Sequence, residues 1–150
     1  MPMKIIKKIF GTSKSPKIPK IYTPECEQEA WIAIMYACMH IDGHISDSEI
    51  ETMFHILEEQ PLFHRKHVAD YYRPAMLAHK KIGSDALIDQ SVVSIKEENK
   101  VILFGLIMKL VLADGVLTDT EKEIAEHLTK AMHLDMKVAK QIVDELLVQG

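Results

Sequence analysis

The apolar residues of the chain recur with the spacing of α-helices, and no stretch alternates apolar and polar residues as a strand does. Three capping boxes, in which a Ser or Thr is followed three residues later by Glu, mark helix starts at Ser46, Ser94 and Thr118. Pro74 predicts a kink or break within the third helix. The pattern predicts an all-α chain of about seven helices, over residues 25–41, 46–60, 64–79, 85–93, 94–113, 118–132 and from 135 onward.

The fifth predicted helix has the most continuous apolar character. From Val101 to Ala113 its apolar run is broken mainly by Lys109. A helix that is apolar nearly all round is typically buried. We therefore expect this helix at the centre of the core, with the first helix as its symmetry mate.

The chain contains an internal duplication. The segment from Val101 to Leu128 has a weaker copy 72 residues upstream, from Trp31 to Ile56. The copies agree at Asp42/Asp114, Gly43/Gly115, Asp47/Asp119, Glu49/Glu121, Glu51/Glu123 and His55/His127. The predicted fold is thus a single helical domain built on a duplicated helix–acidic turn–helix unit.

Charge divides the chain into two parts. Residues 1–24 contain six lysines and no acidic residue, so the remainder carries a formal charge of −10, because the whole chain carries −4. We interpret residues 1–24 as a basic leader and linker and residues 25–150 as the helical domain. An acidic body argues against nucleic-acid binding. The amphipathic residues 4–10 indicate either a weak contact with a membrane surface or an acidic partner, or else a solvated tail.

The cysteines and the apolar runs favour a cytoplasmic protein. If residues 4–10 bind lipid, the protein would be located at the membrane periphery. Cys38 lies in an apolar helix, as a reduced and buried thiol would, and Cys26 forms no CxxC pair with it. The longest apolar run is too short to cross a bilayer. The sequence leaves the oligomeric state open.

The two Asp-Gly turns are the candidate chemistry. Each fits the second half of a calcium-binding EF-hand loop, but the first half lacks oxygen ligands, which argues against a true EF-hand. One interpretation is structural, with glycine allowing the turn and the Ser/Thr–Glu pair capping the next helix. The other is a carboxylate cluster for a hard cation, extended along one helical edge by the repeated Asp-x3-Glu-x3-His pattern.

The duplicated D-G-x-[IL]-[ST]-D-[ST]-E pattern, each copy after an apolar helix, resembles the TerB-like tellurite-resistance family over about residues 25–149. The resemblance implies an all-helical domain, an acidic patch near the Asp-Gly turns that is proposed to bind a divalent metal, and roles in tellurite and other stress responses. Because the candidate ligands are oxygens, calcium or magnesium is favoured over softer metals. Carried over by position, the metal residues are Asp42, Asp47, Glu49, Asp114, Asp119 and Glu121. The first copy departs from the pattern, because His40 and His44 flank its turn.

Two functional hypotheses follow. The first is a non-enzymatic stress-response module that binds a divalent cation, a protein partner or both through the acidic turn surface. The second is a metal-dependent hydrolase that uses the same carboxylates, which would require a concave pocket and an open coordination position beside them. Phosphate-binding loops and nucleophile motifs are absent from the sequence. His64 and His67 lack a third zinc-type ligand nearby and are interpreted as surface residues.

Overall fold

A computed structural model describes residues 21–41, 43 and 45–149 of the chain. Within these residues all regular structure is helical, which confirms the all-α prediction. The described helices are α1 (Glu27–Ile41), α2 (Asp47–Glu58), α3 (Val68–Ser91), α4 (Glu97–Val111), α5 (Asp119–Ala131) and α6 (Met136–Gln149), with short 3-10 helices at Pro61–Phe63 and Val92–Ser94. No helix in this part of the chain combines the length and apolar character needed to cross a membrane.

The third and fourth predicted helices both lie within α3, so six α-helices are described where seven were predicted. Within α3 the backbone is broken at Gly83, whose φ of 82° and ψ of 175° are far from helical values, and this break separates the two predicted helices as expected. Pro74 stands inside α3, and the helical backbone continues past it, so the helix does not break at this proline. Glycine adopts positive φ without a steric penalty, which explains why the helix axis changes at Gly83.

The start of α4 also differs from the prediction. Ser94 belongs to a 3-10 helix, and the residue that caps α4 is Lys96, whose side chain makes no capping hydrogen bond. The carboxylate of Glu27 on α1 takes over part of this role. Its Oε2 accepts hydrogen bonds from the Lys96 amide at 3.2 Å and from Asn99 Nδ2 at 2.8 Å. A tertiary contact therefore replaces the expected local cap.

The centre of the core is α1 and not α4. Every residue of α1 from Glu29 to Met39 is buried, whereas α4 leaves Val101 and Ile102 37% and 46% exposed. Among the described helices, α1 packs most extensively against α3. Three fully buried alanines on α1, Ala30, Ala33 and Ala37, give this helix the small surface that close helix packing requires. The prediction that the fifth helix lies at the centre was therefore wrong.

Candidate functional site: the acidic turns and the groove beside them

The second acidic turn connects α4 to α5. Gly115 has a positive φ of 77°, and its amide donates to the carbonyl of Leu112 at 2.9 Å. Asp114 Oδ1 accepts a hydrogen bond from the amide of Val116 at 3.1 Å. This bond is an Asx turn, in which an aspartate side chain replaces a backbone acceptor. Asp114 thus helps to shape the turn in which it stands.

Both predicted capping boxes at the turns are present. The Glu121 amide donates to Thr118 Oγ1 at 3.2 Å, and the Thr118 amide donates to Glu121 Oε1 at 3.0 Å. In the first copy the equivalent bonds between Ser46 and Glu49 measure 3.1 and 2.9 Å. The two copies differ in burial, because Glu121 is only 4% exposed and Glu49 lies at the surface. Both glutamates therefore have a structural role independent of any ligand.

The aspartates at the two helix starts are free of such bonds. The Asp119 side chain is fully exposed, and its nearest cation is Lys122 Nζ at 3.9 Å. Asp47 is exposed at the equivalent position of α2. Acidic residues in the first turn of a helix interact favourably with the positive end of its dipole. That effect alone accounts for an aspartate at both positions.

The remaining predicted ligand, Asp42, lies outside the described residues, as does His44. Among the residues that are described, no three His, Cys, Asp or Glu side chains are grouped so that they could hold a metal ion. The assignment of the six carboxylates to a metal site accordingly stays a prediction.

A groove adjoins the first turn and runs along α5. Ile41, which ends α1, and Ile124 supply its apolar surface, and Asp85, Glu123 and Glu126 supply carboxylates. His127 and Lys130 complete its lining. None of the predicted metal residues is among these, although the groove brings together an end of the first copy and the second helix of the other.

A family comparison bears directly on the helical domain. The model of the family described as "TerB: Tellurite resistance protein TerB" matches residues 28–143, which is most of the chain. The chain belongs to the TerB family. No curated protein and no solved structure matches the sequence at a significant level.

In this TerB domain the described ion pairs of His55 and His127 do not involve the glutamate of the repeated Asp-x3-Glu-x3-His pattern. His127 contacts α3 instead, with Nε2 lying 2.9 Å from Asp89 Oδ1 and Nδ1 lying 3.7 Å from Asp85 Oδ1. In the first copy His55 Nδ1 lies 3.8 Å from Glu58. The spacing located the helical edge correctly, but the partners of His127 lie on α3. Residue spacing along one helix cannot reveal a partner on another helix.

A stacked histidine pair was not foreseen. The rings of His40 on α1 and His79 on α3 stack with centroids 4.3 Å apart. His40 Nε2 lies 3.1 Å from Tyr36 Oη, and His79 Nε2 lies 2.8 Å from Ser84 Oγ, across the Gly83 kink. Burial, and secondarily the nearby His40, lowers the pKa of His79 below its usual value of 6.5. His40 was noted only as a departure from the family pattern, and no sequence signal linked it to His79.

The domain also buries a carboxylate that the sequence analysis did not single out. Glu29 is 3% exposed and accepts a hydrogen bond from the hydroxyl of Tyr22. Burial and this bond raise the pKa of Tyr22 well above its usual value. Because the Tyr22 amide also donates to Gln90 Oε1 at 2.5 Å, the segment before α1 is fastened to α3.

Proposed function

We propose that this TerB domain is a non-enzymatic binding module and that its first ligand is a divalent cation at the acidic turns. The observation that carries the proposal is the exposure of Asp119, whose carboxylate has only Lys122 at 3.9 Å to offset its charge. Asp114 is held one short turn away by its bond to the Val116 amide. Carboxylates that are exposed and only partly compensated are suited to a hard cation, which prefers oxygen ligands.

In this proposal each capping glutamate binds the cation through the carboxylate oxygen that its helix cap does not use. The described cap bonds use Oε1 of both Glu49 and Glu121, so Oε2 of each would be the oxygen that faces the cation. Asp42 and Asp47 would provide the same chemistry in the first copy. The family description, tellurite resistance, supports a role of the module in the response to tellurite or a related stress.

The test replaces Asp114 and Asp119 by Asn in one variant. Because a ligand that binds only the folded state stabilises it by RT ln(1 + [L]/Kd), calcium or magnesium at 100 times Kd should add about 2.7 kcal/mol to the wild type. The double variant should lose this gain and should melt no lower than the wild type in chelator. Asp144→Asn, which removes an exposed carboxylate paired with Lys140 on α6, is the matched control.

Melting curves and calorimetry in chelator, calcium and magnesium give the answer. Superimposable wild-type curves in all three solutions would rule out the cation proposal and leave the turns as helix caps. A gain that persists in the Asp114→Asn, Asp119→Asn variant would move the cation to another site. The hydrolase alternative needs a pocket beside the same carboxylates. The lining of the described groove favours the binding module, because none of the predicted ligands belongs to it.

A second candidate function is the binding of a protein partner in the groove along α5. The supporting observation is its three exposed carboxylates, Asp85, Glu123 and Glu126, beside the half-buried Ile41. Such a surface fits an amphipathic segment that carries lysines. Titration of a fluorescent lysine- and leucine-rich helical peptide should give saturable binding that Glu123→Gln with Glu126→Gln weakens. Equal binding to both proteins would exclude this groove.

A further inference from the structure

One side of α4 lies at the surface although much of it is apolar. Val101 and Ile102 are 37% and 46% exposed. Residues three and four positions apart on a helix are neighbours, so the positions around these two form one continuous surface. We call this surface the α4 face. Its residues are Glu98, Val101, Ile102, Gly105, Leu106 and Lys109.

The internal duplication shows that the same side of the helix is covered in the first copy. Shifted by the 72 residues that separate the copies, positions 102, 105 and 109 correspond to Ala30, Ala33 and Ala37 of α1. All three alanines are fully buried, and α1 packs most extensively against α3, which has 24 residues. The helix that follows the second copy, α6, has only 14 residues. The second copy thus has a helix-packing side that the described part of the chain leaves open.

Gly105 in the centre of the α4 face has no internal reason to be a glycine. It lies in the middle of α4, where glycine is less favourable than alanine. A Cβ placed on it would meet no described atom within 4 Å outside the backbone of its own helix. Packing within the described chain therefore does not require a glycine here. The missing side chain does allow a helix of another molecule to approach closely.

The charges at the two ends of the α4 face specify how a second copy would fit. Glu98 and Lys109 are exposed, and neither forms an ion pair within the described part of the chain. In an antiparallel pair of α4 helices related by a twofold axis, Glu98 of each copy can lie opposite Lys109 of the other, whereas a parallel pair would oppose like charges. Ile102 then lies opposite Gly105 of the second copy, because each is four residues inward from its charge.

We propose that the α4 face binds the same face of a second copy of this chain in an antiparallel twofold dimer. Ile102 of each copy fits over Gly105 of the other, and the pairs of Glu98 with Lys109 flank this contact. The dimer uses neither the acidic turns nor the groove along α5, so it goes beyond the proposed function. One pair of helix faces is smaller than a standard interface of about 1,600 Å², so we expect a dissociation constant on the order of 10–100 μM.

Sedimentation equilibrium of the full chain measures the dimer, and charge reversal tests its register. Lys109→Glu places like charges opposite each other at both ends of the face, as does Glu98→Lys, and each should weaken the dimer about tenfold or more. The double variant, Glu98→Lys with Lys109→Glu, restores opposite charges and should recover the wild-type dissociation constant to within about threefold. This recovery also excludes misfolding as the cause of the losses. Lys66→Glu changes an exposed lysine before α3 and is the matched control, with no expected effect.

A zero-length carbodiimide crosslinker identifies the contact directly. Glu98 and Lys109 are 11 positions apart, about 16.5 Å along one helix, so a bond between them forms only between two chains. Isotopically light and heavy chains, when mixed, should be joined by this bond.

A wild-type chain that remains monomeric at about 1 mM would overturn the proposal. A dimer that Lys109→Glu leaves unchanged, or a double variant that does not recover, would overturn it as well. Coupling of Glu98 to a lysine of residues 4–20 in the same chain would show that the leader covers the α4 face and would exclude the dimer. Calcium-induced stabilisation is measured separately, so the cation proposal can fail while this one stands, and the reverse.

Discussion

Glu27 is the residue whose replacement tests the observed fold most sharply. Its Oε2 accepts three hydrogen bonds, from Trp31 Nε1 at 3.1 Å, from the Lys96 amide at 3.2 Å and from Asn99 Nδ2 at 2.8 Å. The first lies within α1, and the other two connect α1 to the start of α4. Glu27→Ala removes the acceptor of all three bonds at once, and Glu27→Gln keeps an acceptor oxygen but removes the charge.

The magnitude follows from the surroundings of each donor. Trp31 is 2% exposed, so its indole N–H would be left without an acceptor at a cost of about 1–2 kcal/mol. The bond from Asn99 is partly buried and contributes about 1 kcal/mol, and the exposed Lys96 amide contributes less because water replaces the carboxylate. We expect Glu27→Ala to lower the free energy of unfolding by about 3 kcal/mol, which is about 6–12 °C in Tm for a chain of this size. Glu27→Gln should cost about 1 kcal/mol.

Urea unfolding followed by far-ultraviolet circular dichroism measures these changes. Glu25→Ala, an exposed carboxylate two residues earlier, is the control and should stay within about 0.5 kcal/mol of the wild type. A double-mutant cycle of Glu27→Ala with Asn99→Ala isolates the contact between the helices. If Glu27→Ala stays within about 0.5 kcal/mol, or if the cycle gives no coupling, Glu27 does not tie α4 to α1.

Two further predictions concern histidines. His133 ends α5 in the left-handed conformation, with φ 55° and with the Leu134 amide donating to the Thr129 carbonyl at 3.0 Å, so His133→Gly should raise the free energy of unfolding by about 1 kcal/mol. No gain in urea unfolding would contradict the assigned backbone strain. The lowered pKa of His79 means that the unfolded state binds more protons, so stability that is complete above pH 6.5 should be lost as the pH falls through the folded pKa. In melting experiments at several pH values, His79→Gln should reduce this loss of stability. The control His55→Gln changes an exposed histidine and should not reduce it. If Tm falls with pH in the same way for His79→Gln and the wild type, the assignment is refuted.

Local signals in the sequence located the helix starts at the two acidic turns and at Asp135, but not at Ser94. The two capping boxes at the acidic turns form both of their hydrogen bonds. Asp135 accepts from the amides of Lys137 and Val138 at 2.7 and 3.3 Å, as a residue that starts the last helix should. These bonds depend only on neighbouring residues and their backbone angles, which the sequence specifies directly. The first helix ends at Ile41 as predicted and begins two residues later than expected.

The location of the core centre could not be obtained in the same way. Periodicity shows which faces of a helix are apolar, but it does not show how many other helices pack against them. The apolar run of α4 therefore suggested a central position, although Val101 and Ile102 face solvent. α1 occupies the centre because α3 lies along it, and the length of that contact is a property of the whole fold.

The candidate site was likewise predictable only in the parts that depend on neighbouring residues. The turns, their glycines and their glutamates follow from one short motif, and the structure places the described members in the expected turns. The groove depends on Asp85 and His127, which are 42 residues apart and approach to 3.7 Å. Nothing in the local pattern around Asp85 distinguishes it from an ordinary exposed residue of a helix start. Long-range pairs of this kind need the tertiary structure.

The helices that follow the two copies differ in length, which makes the molecule asymmetric. The shorter α6 (Met136–Gln149) follows the second copy, and the longer α3 (Val68–Ser91) follows the first. It covers α1, the first helix of the first copy, and it supplies Asp85 and Asp89 to His127 in the second copy. The first-copy equivalent of this histidine, His55, is 74% exposed and pairs only with its own helix. The cation proposal uses what the copies share, whereas the groove along α5 lies on the side of the domain on which α3 makes them differ.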